Sequence, residues 1–144
     1  MLIGSYDHSL DAKGRVFIPA KFRDELGSEI ILVNGFNKCI YGFSTEQWEE
    51  FSKKFTSLPV SNQNAQKAMR MVYASAVERE PDKQGRILLS TELKDKSCID
   101  SDVKIIGMST RIEIWSKERW EEYSQIDDGE MDDATMDALA ELGI

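Results

Sequence analysis

Apolar and polar positions rise and fall in the same order twice along this chain. Residues 5–10 and 15–18 are short segments, the second carrying Val16, Phe17 and Ile18, on either side of the turn Asp11-Ala12-Lys13-Gly14-Arg15. Both suit strands. Pro19, with its fixed φ, then opens a helix of two or three turns at a first-turn position. The run Glu29 to Val33 reads as a buried strand, followed after a Gly by Cys39-Ile40-Tyr41 as another. Ser44-Thr45-Glu46-Gln47 starts a helix with Trp48 one turn on. The same sequence of signals returns at Asp82-Lys83-Gln84-Gly85-Arg86, Ile87 to Leu89, Ser90 or Thr91 as a cap, Val103 to Ile106, Ile112 to Ile114, and Ser116 with Trp120.

The two turns lie 71 residues apart and the two Trp landmarks 72 apart, so the copies keep register through a one-residue indel. Three landmarks in one order, twice, point to an internal duplication, with four strands in each copy. Between them, Pro59-Val60-Ser61-Asn62 interrupts, and Asn64 to Ala76 places Ala65, Ala68, Met69, Val72, Tyr73 and Ala76 at helical spacing, which predicts a connecting helix. The expected division is a first repeat over 1–57, a connecting segment over 58–76, a second repeat over 77–125, and an acidic tail over 126–144 whose Met and Leu residues make a weakly amphipathic helix. Each half, at about 70 residues, is near the lower size limit for a self-sufficient core, so the halves are expected to share one.

Charge sharpens this picture. The chain of 144 residues has a net charge of −8, but residues 1–110 hold 15 Lys and Arg against 15 Asp and Glu, whereas residues 111–144 hold 3 against 11. The acidic excess is therefore C-terminal, and the body carries basic clusters: Lys13, Arg15, Lys21 and Arg23 in one copy, Arg79, Lys83 and Arg86 in the other. Such clusters are either a solvated face or phosphate contacts. Cys39 and Cys98 lack a C-x-x-C spacing and read as core thiols, which supports no disulfide framework and no metal site. No apolar run approaches the roughly 20 residues of a membrane helix, and the expectation is a cytoplasmic protein.

Catalytic signals are sparse. His8 is the only histidine and reads as a strand residue or a phosphate contact, and no nucleophile-elbow, Walker or dinucleotide-binding pattern occurs. The chain is therefore expected to be no enzyme and to need no cofactor. The turns are more informative. Asp11 and Asp82 can cap their own turns, while Gly14 and Gly85 supply a positive φ, the pattern of a type I turn closed by a bulge. Arg15 and Arg86 follow at once, each placed to project from a rigid turn. A planar guanidinium there can donate two hydrogen bonds to guanine, and Lys13, Lys21, Arg23 and Lys83 would then contact phosphates.

These residues carry a family resemblance. Met1-Leu2-Ile3-Gly4, His8 to Arg15 with Pro19-Ala20, and Asp82 to Arg86 resemble the MraZ family of the SpoVT/AbrB-like superfamily, over roughly residues 1–125. The resemblance implies an α+β, mainly β fold, in which two tandem AbrB-like β-α-β repeats form a pseudo-dimeric, swapped-hairpin barrel with flanking helices. It also implies a homo-oligomeric ring, an octamer or dodecamer, that binds double-stranded DNA in the nucleoid and regulates, as a repressor, the promoter of the division and cell-wall gene cluster. Its DNA contact carries over to Asp11, Lys13, Arg15, Asp82 and Arg86. Gln84 stands where the first copy has Lys13, so the two copies are expected to contribute unequally. The rival expectation is a scaffold ring that docks proteins and does not bind DNA. Neither reading calls for a membrane or a small-molecule substrate.

Overall fold

A computed structural model describes residues 1–125 and 131–144. Its elements are β1 (Ser5–Ser9), β2 (Arg15–Phe17), α1 (Ala20–Leu26), β3 (Ile30–Asn34), β4 (Ile40–Phe43), α2 (Thr45–Thr56), α3 (Gln63–Ser75), β5 (Val77–Arg79), β6 (Arg86–Leu88), α4 (Thr91–Lys96), β7 (Asp102–Gly107), β8 (Ile112–Ser116), α5 (Lys117–Tyr123) and α6 (Asp133–Glu141). The order β-β-α-β-β-α-α thus occurs twice, with α6 in the place that α3 holds in the first copy. Of the tail read as one amphipathic helix from Asp127, the residues Asp127, Asp128 and Glu130 lie outside those described.

Strand pairing interleaves the copies. One sheet runs β1-β7-β8-β4-β3-β5, and β2 pairs with β6 in a separate two-stranded ladder. Read as repeat positions, that six-strand order is palindromic: the first strand of each copy lies at an edge, beside the third strand of the other. All ladders are antiparallel. The hairpins are therefore exchanged: β1 and β2, joined by the first turn, each pair with a strand of the second copy. In the β2–β6 ladder Arg15 faces Leu88, Val16 faces Ile87 and Phe17 faces Arg86. The pseudo-two-fold axis passes through the Val16–Ile87 pair. On the far sheet it passes through Tyr41–Glu113, the middle pair of β4–β8.

Period-two alternation divides the apolar residues between two cores. Ile30, Leu32, Ile40, Val103, Ile105, Ile112 and Ile114 point from the six-stranded sheet toward Val16, Ile18, Ile87 and Leu89 of the small ladder, with Phe22 and Leu93 of α1 and α4 closing the ends. The alternate residues Ile31, Val33, Tyr41, Phe43, Ile106 and Trp115 face the other way, where Trp48, Phe51 and Trp120 cover them. Sixteen buried residues form the first core, drawn from both copies. Neither copy could bury that surface alone, as the size argument anticipates.

The expected caps are present at three helices. Oγ of Ser44, Ser90 and Ser116 accepts from the backbone N–H of Gln47, Leu93 and Arg119. Pro19 sits one residue earlier than expected, at the N-cap of α1, because its ψ of 138° is extended. Trp48 and Trp120 are core anchors, in edge or tilted contact with Phe43 and Trp115. Cys39 is a buried thiol pushed up to about 12 by desolvation. Cys98 departs from expectation: it is exposed, since it ends α4 in the left-handed region (φ 58°), which turns its side chain away from the core.

Candidate nucleic-acid interface

The two turns are built alike. In the first, Gly14 N–H donates to Asp11 O (3.0 Å) and Asp11 N–H donates to Arg15 O (2.9 Å); Gly85, Asp82 and Arg86 repeat both bonds at 2.9 Å. The glycines take φ of 79° and 78°, as a type I turn with a bulge requires. Asp11 Oδ1 accepts from Lys13 N–H and Arg15 N–H at 3.0 and 2.9 Å, and Asp82 Oδ1 from Gln84 N–H and Arg86 N–H, both at 2.9 Å. Turn-forming roles for Asp and Gly follow directly.

The turns also lock the copies together. Ile18 N–H donates to Gly85 O (2.9 Å), and its counterpart Leu89 N–H donates to Gly14 O (3.0 Å). Because β2 is a strand, Arg15 and Phe17 point outward while Val16 points into the core; Arg86 and Leu88 do the same around Ile87. A two-stranded ribbon thus presents both arginines on one face, across the pseudo-two-fold axis.

Neither arginine swings freely. Arg15 Nε donates to Asp11 Oδ2 at 2.7 Å and Arg86 Nε to Asp82 Oδ2 at 2.9 Å. Each terminal group also nears the opposite copy's carboxylate: Arg86 Nη1 lies 3.5 Å from Asp11 Oδ2 and Arg15 Nη1 lies 4.0 Å from Asp82 Oδ2. The four side chains form a ring of alternating charge, each about 30% exposed. Those longer contacts commit only Nε to a short hydrogen bond, so the terminal amino groups keep donors for a ligand. The backbone N–H of Arg15 and of Arg86 foremost, with the Arg15 guanidinium at Asp11 and the Gln84 backbone N–H and Arg86 guanidinium at Asp82, hold the carboxyls of Asp11 and Asp82 below the usual carboxylate range. Both are ionised at neutral pH, and the four charges cancel.

The other candidates spread around this centre. Lys83 and Gln84 border an open depression with Arg15, Asp82 and Arg86. Lys13 is exposed on the first turn and Lys21 on α1. Arg23 is anchored: its Nε donates to Ile18 O (2.8 Å), its guanidinium lies 5.3 Å from the Phe17 ring centre, and a Cβ on Gly85 would come within 2.6 Å of it. It packs the first copy's helix over the second copy's turn. Lys94, 71 residues after Arg23, stands over Gly14 in the mirror position. Sequence reasoning passed over Lys94, although the repeat spacing alone marks it. Arg79 is tied to Leu88 O by its Nε (2.9 Å), and its counterpart His8 lies 5.2 Å from the Phe17 ring.

Comparison with known proteins agrees with this doubled architecture. The family model described as "MraZ protein, putative antitoxin-like" matches residues 1–71 and again residues 72–140. The chain belongs to the MraZ family. That second match runs past residue 125 and takes in most of α6, so the MraZ resemblance reaches further than the turn motifs imply. Among curated relatives named "Transcriptional regulator MraZ", the protein of Thermoanaerobacter sp. (strain X514) is 51% identical over 86% of this chain and 87% of its own length. The MraZ protein of Acetivibrio thermocellus is 43% identical over the whole of both chains, and that of Lactobacillus gasseri 42% identical over 95% of this chain and 96% of its own. Among the described residues no helix is long and apolar enough to cross a membrane, and no group of His, Cys, Asp and Glu could hold a metal ion.

Proposed function

We propose that this chain is a sequence-specific DNA-binding transcriptional regulator, a repressor of the promoter of the division and cell-wall gene cluster, that acts in the cytoplasm on the nucleoid and reads tandem repeats as a ring-shaped homo-oligomer. The observation that carries the reading is the β2–β6 ribbon, with Arg15 and Arg86 side by side on its outer face. A two-stranded ribbon fits the major groove, where a guanidinium offers two donors to guanine O6 and N7, worth about 1–3 kcal/mol of discrimination. Asp11 and Asp82 fix the direction of each guanidinium through Nε. Lys13, Lys21 and Lys83 contact phosphates, joined by Lys94, and Arg23 does so only with the atoms its packing leaves over. In this reading the exchanged hairpins and the facing sheet close as a swapped-hairpin barrel, segmented at residues 57, 76 and 125, and the family names of the relatives support the regulatory role.

The cancelled charge at the centre favours a second reading, a scaffold ring that docks proteins without DNA. Mobility shift separates the two. Arg15→Ala is expected to abolish selective binding to the chain's own upstream DNA over a scrambled fragment, with native mass unchanged, and Arg86→Ala to weaken it less. Retained selectivity in Arg15→Ala would sink the site assignment; no shift by the parent protein at low salt would favour the scaffold.

A further inference from the structure

The groove between α3 and the β3–β4 turn remains outside this reading. It is an open cavity of about 400 Å³, bordered by Asn34, Phe36, Lys38, Lys67, Met71 and Lys96. Phe36 and Met71 are half exposed, though they form its apolar floor with buried Val72 and Cys39. Three lysines on its rim come from three elements: the β3–β4 turn, α3 and α4. Lys96 also holds Glu92 at 3.2 Å; Lys38 and Lys67 have no carboxylate within 4.0 Å among the described residues. At its base the side-chain nitrogen and oxygen of Asn34 are shielded from solvent and have no hydrogen-bond partner among the described residues.

α6 is the complementary object. It buries none of its residues, and Met136 on it is 52% exposed. Asp133, Asp137 and Glu141 follow at intervals of four along one stripe, beside Met136, Leu139 and Ala140. Residues 131–144 carry four carboxylates and no Lys or Arg. In the first copy the helix at this place, α3, packs Val72 and Ser75 against the sheet; its counterpart α6 has no such surface. A bare acidic amphipathic helix and a bare lysine-rimmed apolar groove occur on the same chain, and helix-in-groove docking uses this combination of an apolar stripe and charged flanks.

We propose that the groove receives α6 from a second copy of this chain, with Met136 and Leu139 on the apolar floor and the Asp133–Asp137–Glu141 stripe along Lys38, Lys67 and Lys96. The inference rests on the assembly half of the proposed function and says nothing of DNA. In this docking each copy gives its helix to one neighbour and receives one from another, a head-to-tail contact of the kind that generates a ring where the rotation closes. The acidic tail is then assembly apparatus, and the neutral ribbon face stays clear of it.

Zero-length carbodiimide coupling of the full-length protein tests this, with unlabelled and ¹⁵N-labelled chains unfolded together in urea and refolded as a mixture before reaction, and native mass recorded in parallel. The expected result is amide links from Lys67 or Lys38 to Asp133, Asp137 or Glu141, in peptides of mixed isotope. Lys67→Glu removes the Lys67 amine and should lower the remaining Lys38 links about fivefold through the local charge change, and Asp137→Lys supplied on the second chain should give a new amide between positions 67 and 137. Links found only within one isotope, or only to residues outside α6, overturn the proposal, as does full coupling in Lys67→Glu through Lys38. A monomeric mass fails the assembly reading itself; an oligomer without these links fails the docking alone. Circular dichroism of Lys67→Glu guards against misfolding, which a surface substitution should not cause.

Discussion

Asp11 and Asp82 each divide two oxygens between two tasks, and the division explains why a carboxylate stands beside a candidate reading arginine. Oδ1 closes the turn by accepting two backbone N–H groups, and Oδ2 holds the Arg Nε. Asparagine could keep the turn and lose the charge. Both carboxyls have folded-state pKa values below their ordinary 3.8, so the stability they contribute is complete above that value and is lost as pH falls through the lowered pKa. The double variant Asp11→Asn, Asp82→Asn should therefore melt lower than the parent at pH 7, and its Tm should fall less steeply between about pH 4 and pH 2. Thermal melts followed by circular dichroism at stepped pH decide this; parallel Tm curves would show that the charge contributes nothing. The glycines supply a second contrast. Gly14→Ala meets a flexible lysine end at 3.0 Å, whereas Gly85→Ala meets Arg23 at 2.6 Å, held by Ile18 O and Phe17. Both substitutions strain a positive φ by about 1–2 kcal/mol, and Gly85→Ala should cost measurably more in urea unfolding. Equal losses would mean that Arg23 yields freely.

At the scale of elements, the β2–β6 ladder joins fold and site, because alternate residues of three-residue strands face the core and the candidate DNA. Ile87 is buried at the pseudo-axis, while its neighbour Leu88 is 44% exposed. Ile87→Ala should cost about 2–5 kcal/mol by leaving a cavity between the copies, and Leu88→Ala within about 0.5 kcal/mol of nothing. Urea denaturation of the two variants makes the comparison, and a Leu88→Ala loss as large as that of Ile87→Ala would contradict the assigned strand faces. Part of this was legible: the apolar runs Val16 to Ile18 and Ile87 to Leu89 announce strands, and Ser44, Ser90 and Ser116 announce their helices, but runs apolar at every position do not say that Phe17 and Leu88 face outward. Partner choice was not. Period two sets half-buried Tyr6 and His8 apart from exposed Ser5, Asp7 and Ser9, but nothing in Ser5 to Ser9 says that β1 lies beside β7 of the other copy, since ladder hydrogen bonds run through backbone that every sequence shares. The same gap hid the crossed Asp–Arg contacts, which exist only because the hairpins are exchanged. Cys98 was misread for another reason. Burial there depends on one left-handed φ at the end of α4, which composition does not express.

On the scale of the whole molecule, a chain of net charge −8 whose candidate reading centre is neutral has little long-range attraction for a phosphate backbone as a single unit. Each exposed lysine that meets a phosphate adds a salt-dependent increment, steepening the fall of log K with log salt by about 0.9. Lys13→Ala should flatten that slope by about one contact without altering which sequence is preferred, while Arg15→Ala should alter the preference. In the proposed reading few such contacts fall on each chain, and affinity comes from number. Linked sites engaged together can gain about 10²–10⁴ over one site with no new contact. Fluorescence anisotropy on DNA carrying one repeat, and on DNA carrying several at native spacing, measures the gain. The expected outcome is at least a hundredfold preference for the tandem DNA, lost when the spacing is shifted by half a helical turn so that neighbouring subunits face opposite sides of the duplex. A preference no larger than the ratio of site numbers, or one indifferent to the half-turn shift, would show that the subunits bind independently, and the doubled ribbon would then have to carry the whole affinity within one chain.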